Sequence, residues 1–156
     1  MSIHEVPHDP VALTLFIEQY YHAPHREDLP RLASLAAKVE HVHADAPDVP
    51  VGLSDLLRHM IGELEVHMKK EELILFPAIR KGGAPGIAHP IAVMREDHDD
   101  HRATISRVRQ LTNNLTPPTN ACGSWRTLYE GLADFLAELE AHIRLENDVL
   151  FPQFEA

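Results

Sequence analysis

One pattern constrains this chain more than any other. Glu65-Val-His67-Met-Lys-Lys-Glu71-Glu-Leu-Ile-Leu75-Phe76-Pro77 returns 75 positions later as Glu140-Ala-His142-Ile-Arg-Leu-Glu146-Asn-Asp-Val-Leu150-Phe151-Pro152. Both stretches read E-x-H-x-x-x-E-x-x-x-L-F-P. On a helix, positions i and i+4 lie on one face about a turn apart. Each stretch therefore stacks an imidazole over a carboxylate. A single such pair is an ordinary feature of a solvated helix face. Two copies, with matching apolar tails, suit helices that face each other across a metal centre. Helix bundles hold di-iron and di-manganese centres on inward Glu and His in this way.

Three clusters of Pro and Gly divide the chain: 44–52, 81–86 and 112–120. Such residues punctuate helices. The segments between them carry helical spacing of apolar residues and little β-branched alternation. The spacing predicts helices at about 10–43, 53–80, 88–113 and 122–150, with Ser54 capping the second and Gly82 stopping it. Pro24 and Pro30 should kink or split the first. Four long helices with short connections give an all-α, up-down-up-down four-helix bundle with a kinked first helix. At 156 residues the chain is expected to form a single domain spanning 1–156.

Helix rise then decides which residues share a level. His67 lies ~21 Å up the second helix, and His98 lies ~15 Å back down the third. His142 falls in the same layer on the fourth. On the first helix, His22 and His43 are ~31 Å apart and cannot both reach one centre. His43 sits beside the first loop, so His22 is the choice and His25, one turn on, its reserve. The candidate ligands are His22, His67, Glu71, His98, His142 and Glu146. Four imidazoles and two carboxylates, without thiolate, favour iron or manganese over a structural zinc site. The set suits two non-haem iron ions with each Glu bridging the pair, leaving positions for water, an oxo or hydroxo bridge, or a diatomic ligand. Without metal, buried Glu71 and Glu146 would repel each other. Leu75, Phe76, Leu150 and Phe151 lie one turn beyond the glutamates and could wall the site off from water. Asp97 and Glu63 are candidates to orient a ligand histidine from behind. Tyr20 and Tyr21 are expected in the core or an interface, where a tyrosine near the metals could hydrogen-bond a bound ligand. His4, His8, His41, His43, His59 and His89 read as surface, capping or loop residues, and Cys122 as the start of the fourth helix.

Composition excludes several classes. A net charge of −10 with no basic stripe argues against a nucleic-acid surface. A single cysteine rules out a thiolate-rich zinc or iron–sulfur site within these residues. No apolar run approaches the ~20 residues needed to span a membrane, and no signal-peptide pattern opens the chain. The expected location is the cytoplasm.

Longer words extend the pattern: Tyr21-His22-Ala-Pro-His25-Arg26-Glu-Asp-Leu-Pro30, Val39-Glu-His-Val-His43-Ala-Asp45, Glu96-Asp-His98-Asp99, Thr112-Asn-Asn-Leu-Thr-Pro-Pro118, and Ala121-Cys122 with Trp125. With the two repeats, they resemble the hemerythrin-like domain of the di-iron iron–sulfur cluster repair proteins, from about residue 12 onward. The resemblance implies repair of clusters damaged by nitrosative or oxidative stress, through iron donation or nitric oxide handling. Its alternatives are an O2- or NO-binding carrier or sensor without catalysis, and nitric oxide reduction at the two irons. It implies iron on the same six residues, a small diatomic ligand such as O2 or NO, and damaged iron–sulfur proteins as partners. Members of that family commonly carry a preceding domain with a vicinal cysteine pair. The sequence here opens close to the first helix, so steps that need those thiols are not expected of it.

Overall fold

The computed structural model describes residues 5–155; His4 lies outside them. Four long helices, at 10–42, 53–80, 88–111 and 123–150, run up, down, up and down, and the described residues contain no strand. The first helix packs on the second and fourth, and the third packs on the same two. This is the expected bundle. The helix ends fall within two residues of the expected ones.

The helices start and stop for local reasons. Asp9 caps the first, its carboxylate accepting from the Ala12 N–H at 3.0 Å, with Pro10 at the first helical position. The second begins after Gly52, whose φ of 90° lies in the left-handed region. Ser54 is not its cap. Glu40, from the end of the first helix, accepts from the Gly52 and Ser54 backbone N–H groups at 2.7 and 2.9 Å. A carboxylate at a helix N-terminus satisfies free donors and meets the positive end of the dipole. The second helix closes at Gly82, φ 91°, with Gly82 and Gly83 returning N–H bonds to Ile79 and Ala78.

The expected kink takes a particular form. The first helix is not split; its register widens to a π-helical turn at Glu18–His22 and then resumes through Pro30. The same widening occurs at Glu71–Leu75 and Glu146–Leu150. Each of the three turns ends two residues before a proline: Pro24, Pro77 or Pro152. A helical proline clashes with the carbonyl four residues earlier. Those carbonyls belong to Tyr20, Leu73 and Asp148, all inside the widened turns. Pro30 has no such turn, so proline alone does not impose one. The other three turns coincide with His22, Glu71 and Glu146.

The apolar interior forms two clusters. One holds Leu13, Ile17, Leu75, Phe76, Ile79, Ile91, Met94, Leu150 and Phe151. The other is larger, and runs from Leu29 and Leu64 down to Trp125. Along every helix a polar layer separates them: His22 and His25 lie between Ile17 and Leu29, and His98 and His101 between Met94 and Ile105. The bundle is thus two oily ends around a buried ring of imidazoles and carboxylates.

Replacing Glu40 by Ala removes both bonds at the start of the second helix. Loss of an N-terminal cap of this kind costs about 1 kcal/mol. A urea titration should show a lower midpoint with an unchanged slope.

Candidate metal centre

All six expected residues are buried and converge on the polar layer. They form two groups of four within which ligand atoms lie no more than 4.8 Å apart: His22, Glu71, His142 and Glu146, and His67, Glu71, His98 and Glu146. Both glutamates belong to both groups. The widened turns help to bring them there, since His22 ends the first and Glu71 and Glu146 begin the others. Turns of this type recur where helices carry functional groups.

Each of the four imidazoles is held from behind, at Nδ1. His22 Nδ1–H donates to Glu72 Oε2 at 2.7 Å, His67 Nδ1–H to Asp97 Oδ2 at 3.0 Å, and His98 Nδ1–H to Asn147 Oδ1 at 2.7 Å. His142 Nδ1 meets His25 Nε2 at 3.2 Å. Glu72, Asp97 and the Asn147 oxygen accept, so His22, His67 and His98 carry the proton on Nδ1 and turn an Nε2 lone pair toward the centre, the tautomer a metal needs. Phe76 stacks on His22 and Phe151 on His98, at 5.8 Å in both cases and within 7° of parallel. Tyr21 stacks on His142 at 5.2 Å. Leu75, Phe76, Leu150 and Phe151 are all buried against this face.

The centre leaves polar atoms without partners. Nε2 of His67, His98 and His142, Oε2 of Glu71 and both carboxylate oxygens of Glu146 are buried and make no hydrogen bond. Some are nevertheless close. His98 Nε2 lies 2.8 Å from Glu146 Oε1, and His142 Nε2 lies 3.1 Å from Glu146 Oε2. These contacts lack hydrogen-bond geometry. Leaving a buried polar group unsatisfied costs about 1–3 kcal/mol, more if charged. A cation between them would satisfy all six. Imidazole nitrogen and carboxylate oxygen without sulfur fit iron or manganese.

Titration behaviour agrees. Burial, and then the charge of Glu146, pushes the Glu71 carboxyl well up. Its proton accounts for the 3.0 Å hydrogen bond to His22 Nε2. Burial also works to raise Glu146, but the nearby His142 draws it well below the usual carboxylate range. Burial, reinforced by neighbouring imidazoles, lowers His22 to about 4 and His101 to about 3. His25 and His67 are pulled down as well, again mainly by burial. These imidazoles are neutral at neutral pH.

Several residues around the centre depart from the sequence-based expectation. His25 is not an alternative to His22; it stands behind His142. Asp97 takes the supporting position expected of it, whereas Glu63 pairs with exposed His59 at 2.9 Å. His43 is half-buried at the other end of the bundle, with Nε2 3.0 Å from Cys122 Sγ and its ring against Trp125. His8, His41, His59 and His89 are exposed. Spacing did not single out His101, which is buried beside His67 at 4.9 Å, nor Glu72 and Asn147. A signal for His101 existed: His22-Ala-Pro-His25-Arg26 and His98-Asp-Asp-His101-Arg102 share H-x-x-H-R. Glu72 and Asn147 each come directly after a glutamate of the repeat.

A cleft of about 500 Å³ reaches His67 from the surface. Glu63, Asp97, Asp100 and His101 are among the residues that line it. Among the described residues, no helix is long and apolar enough to cross a membrane.

The family profile described as Hemerythrin HHE cation binding domain matches residues 19–154. Curated relatives named iron–sulfur cluster repair protein YtfE are similar over most of the chain. The protein from Yersinia pseudotuberculosis serotype O:1b (strain IP 31758) is 48% identical over 141 residues, 90% of this chain and 64% of its own length. Those from Musicola paradisiaca and Pectobacterium atrosepticum are 47% and 46% identical over 138 residues, 88% of this chain and 62% of theirs. The chain therefore spans less than two thirds of these relatives.

Metal-free protein should lose stability as pH falls from about 6.5 to 4. An unfolded histidine titrates near ~6.5, while folded His22 waits until about 4 and His101 until about 3. In that window the unfolded chain binds more protons, so stability rises with pH and is lost on acidification. His25 and His67 act in the same direction. Glu71, raised, opposes them with a single proton. Thermal melts at pH 7, 6 and 5 should show a falling midpoint, with net uptake of more than one proton on unfolding.

Proposed function

Because the chain belongs to the hemerythrin family of HHE cation-binding domains, we propose that it acts as a single non-haem di-iron domain serving the repair of iron–sulfur clusters damaged by nitrosative or oxidative stress. His22 and His142 would hold one iron, His67 and His98 the other, with Glu71 and Glu146 shared as bridges. The observation that carries this reading is the set of six buried nitrogen and oxygen atoms that face one another without hydrogen bonds. The sharing of both glutamates between the two four-residue groups supports a pair of metals over one.

Bound there, two irons would supply exchangeable coordination positions for a small diatomic ligand such as NO or O2, and a store of labile iron. The chain's own residues do the rest. The Nδ1 contacts hold three imidazoles in the ligating tautomer, and His25 steadies the fourth, His142. Phe76 and Phe151 close the side toward the smaller apolar cluster. Carboxylate ligands exchange more readily than thiolates, which suits iron that must leave. The cleft, with Glu63, Asp97 and Asp100 in its wall, brings an acidic surface as far as His67 at the edge of the centre. Damaged iron–sulfur proteins are the partners this reading requires, and a cytoplasmic location goes with it.

Purified protein loaded anaerobically with ferrous iron should retain two irons per chain. Glu71→Ala, which removes a ligand common to both positions, should retain fewer than one. Mixed with an apo iron–sulfur enzyme, the loaded protein should lose iron as the enzyme regains activity. Full iron retention with no reactivation would eliminate donation and leave reversible binding of NO, seen as a spectral change, as the function.

A further inference from the structure

The two halves of the centre repeat each other closely in the residues that face it, and they differ in what stands behind them. His22 matches His98, His67 matches His142, Glu71 matches Glu146, and Phe76 matches Phe151. At the position after the glutamate, one half has Glu72 and the other Asn147. Both side chains do the same thing, accepting Nδ1–H from His22 or His98 at 2.7 Å. Only one of them is anionic.

Glu72 is also clamped. Arg26 Nη1 and Nη2 donate to its two oxygens at 2.7 and 2.8 Å, while Arg26 Nε donates to Glu65 at 2.9 Å. A bidentate arginine fixes a carboxylate in position as well as in charge. Arg102, at the matching place in the other H-x-x-H-R word, reaches only exposed Asp99 at 3.4 Å. The clamp thus belongs to one half alone.

The second carboxylate behind an imidazole is Asp97, on the opposite metal position. It holds His67, lies at the cleft, and has Lys70 3.8 Å away. Each position therefore has one imidazole backed by a carboxylate and one backed by a neutral group. The carboxylates are Glu72 for the His22 and His142 position and Asp97 for the His67 and His98 position. A carboxylate that accepts Nδ1–H raises the donor strength of the opposite nitrogen and fixes the ring.

We propose that Glu72, held by Arg26, is a positioning residue for the metal bound by His22 and His142, and that Glu72 and Asp97 act on different metals, so that the two positions can be weakened one at a time. This rests on the two-metal reading above. The Arg26–Glu72 pair is partly exposed, and exposed ion pairs contribute little to folding. Its placement behind a fully buried ligand histidine gives it a different purpose.

The test compares wild type with Glu72→Ala, Glu72→Gln, Asp97→Ala and the Glu72→Ala/Asp97→Ala double variant. Each is loaded with ferrous iron without oxygen. Chelator competition gives the affinity of each bound ion, Mössbauer spectra count the iron environments, and thermal melts of the metal-free forms check the fold. Glu72→Ala should weaken one ion by roughly 10–100-fold and leave the other at its wild-type affinity, the range usual for a partner of a ligand histidine. Asp97→Ala should do the same, and the double variant should retain no tight ion. Glu72→Gln, which keeps an acceptor without the charge, should fall between wild type and Glu72→Ala. Should Glu72→Ala fail to fold, Arg26→Gln loosens the clamp and should weaken one ion to a lesser degree. Equal weakening of both ions by Glu72→Ala, no weakening in a folded variant, or a tight ion left in the double variant overturns the proposal. Fewer than two ions in the wild-type protein is a different failure, read in its own arm, and overturns the two-metal reading together with this one.

Discussion

Everything in this bundle is organised around a buried ring of lone pairs. Three imidazole nitrogens and three carboxylate oxygens are buried together and make no hydrogen bond. Folding alone gives no reason for that arrangement. An unpaired buried carboxylate costs several kcal/mol, and apolar side chains of similar size would fill the space better. A layer of this kind persists where a ligand compensates it. Much of the free energy of holding the layer together then belongs to the metal, as in other sites where binding and folding are linked.

The rest of the fold can be understood as insulation and support for that ring. The two apolar clusters lie on either side of it and exclude water. Exclusion of water strengthens every electrostatic interaction within. Support comes from the helices themselves. Widened turns at Glu18–His22, Glu71–Leu75 and Glu146–Leu150 occur at ligand residues and ahead of prolines. The L-F-P tail of each repeat thus has two separable contributions. Phe76 and Phe151 stack on the imidazoles of the neighbouring helices, and Pro77 and Pro152 accompany the change of register that precedes them.

Much of this is legible in the sequence. Helix number, topology and the convergence of His22, His67, Glu71, His98, His142 and Glu146 emerge from spacing and from rise per residue. The parts that are not legible depend on contacts between elements that spacing along one helix does not report. Spacing makes His25 a substitute for His22, because i and i+3 share a face. They do share a face, but His25 lies a turn farther along, where it meets Nδ1 of His142 instead of the centre. His101 escapes because the E-x-H-x-x-x-E repeat marks only the second and fourth helices, whereas H-x-x-H-R marks the first and third. The cap at Gly52 escapes for a different reason. Glu40 is close to it only once the 44–52 loop has folded back, and local rules favour a Ser already in place.

The repeat also explains why the two halves need not be equal. In a symmetric centre both metals would be held alike, and conditions that release one would release both. A protein that gives up iron without unfolding benefits if one ion stays to neutralise Glu71 and Glu146. With one cation present, the shared carboxylates are still paired, and the buried charge that makes the empty layer costly never appears in full. Two near-identical halves supply the paired ligands. The carboxylates behind them, an Arg26-clamped Glu72 for one position and Asp97 at the cleft for the other, stand in unlike surroundings without altering any residue that faces the centre.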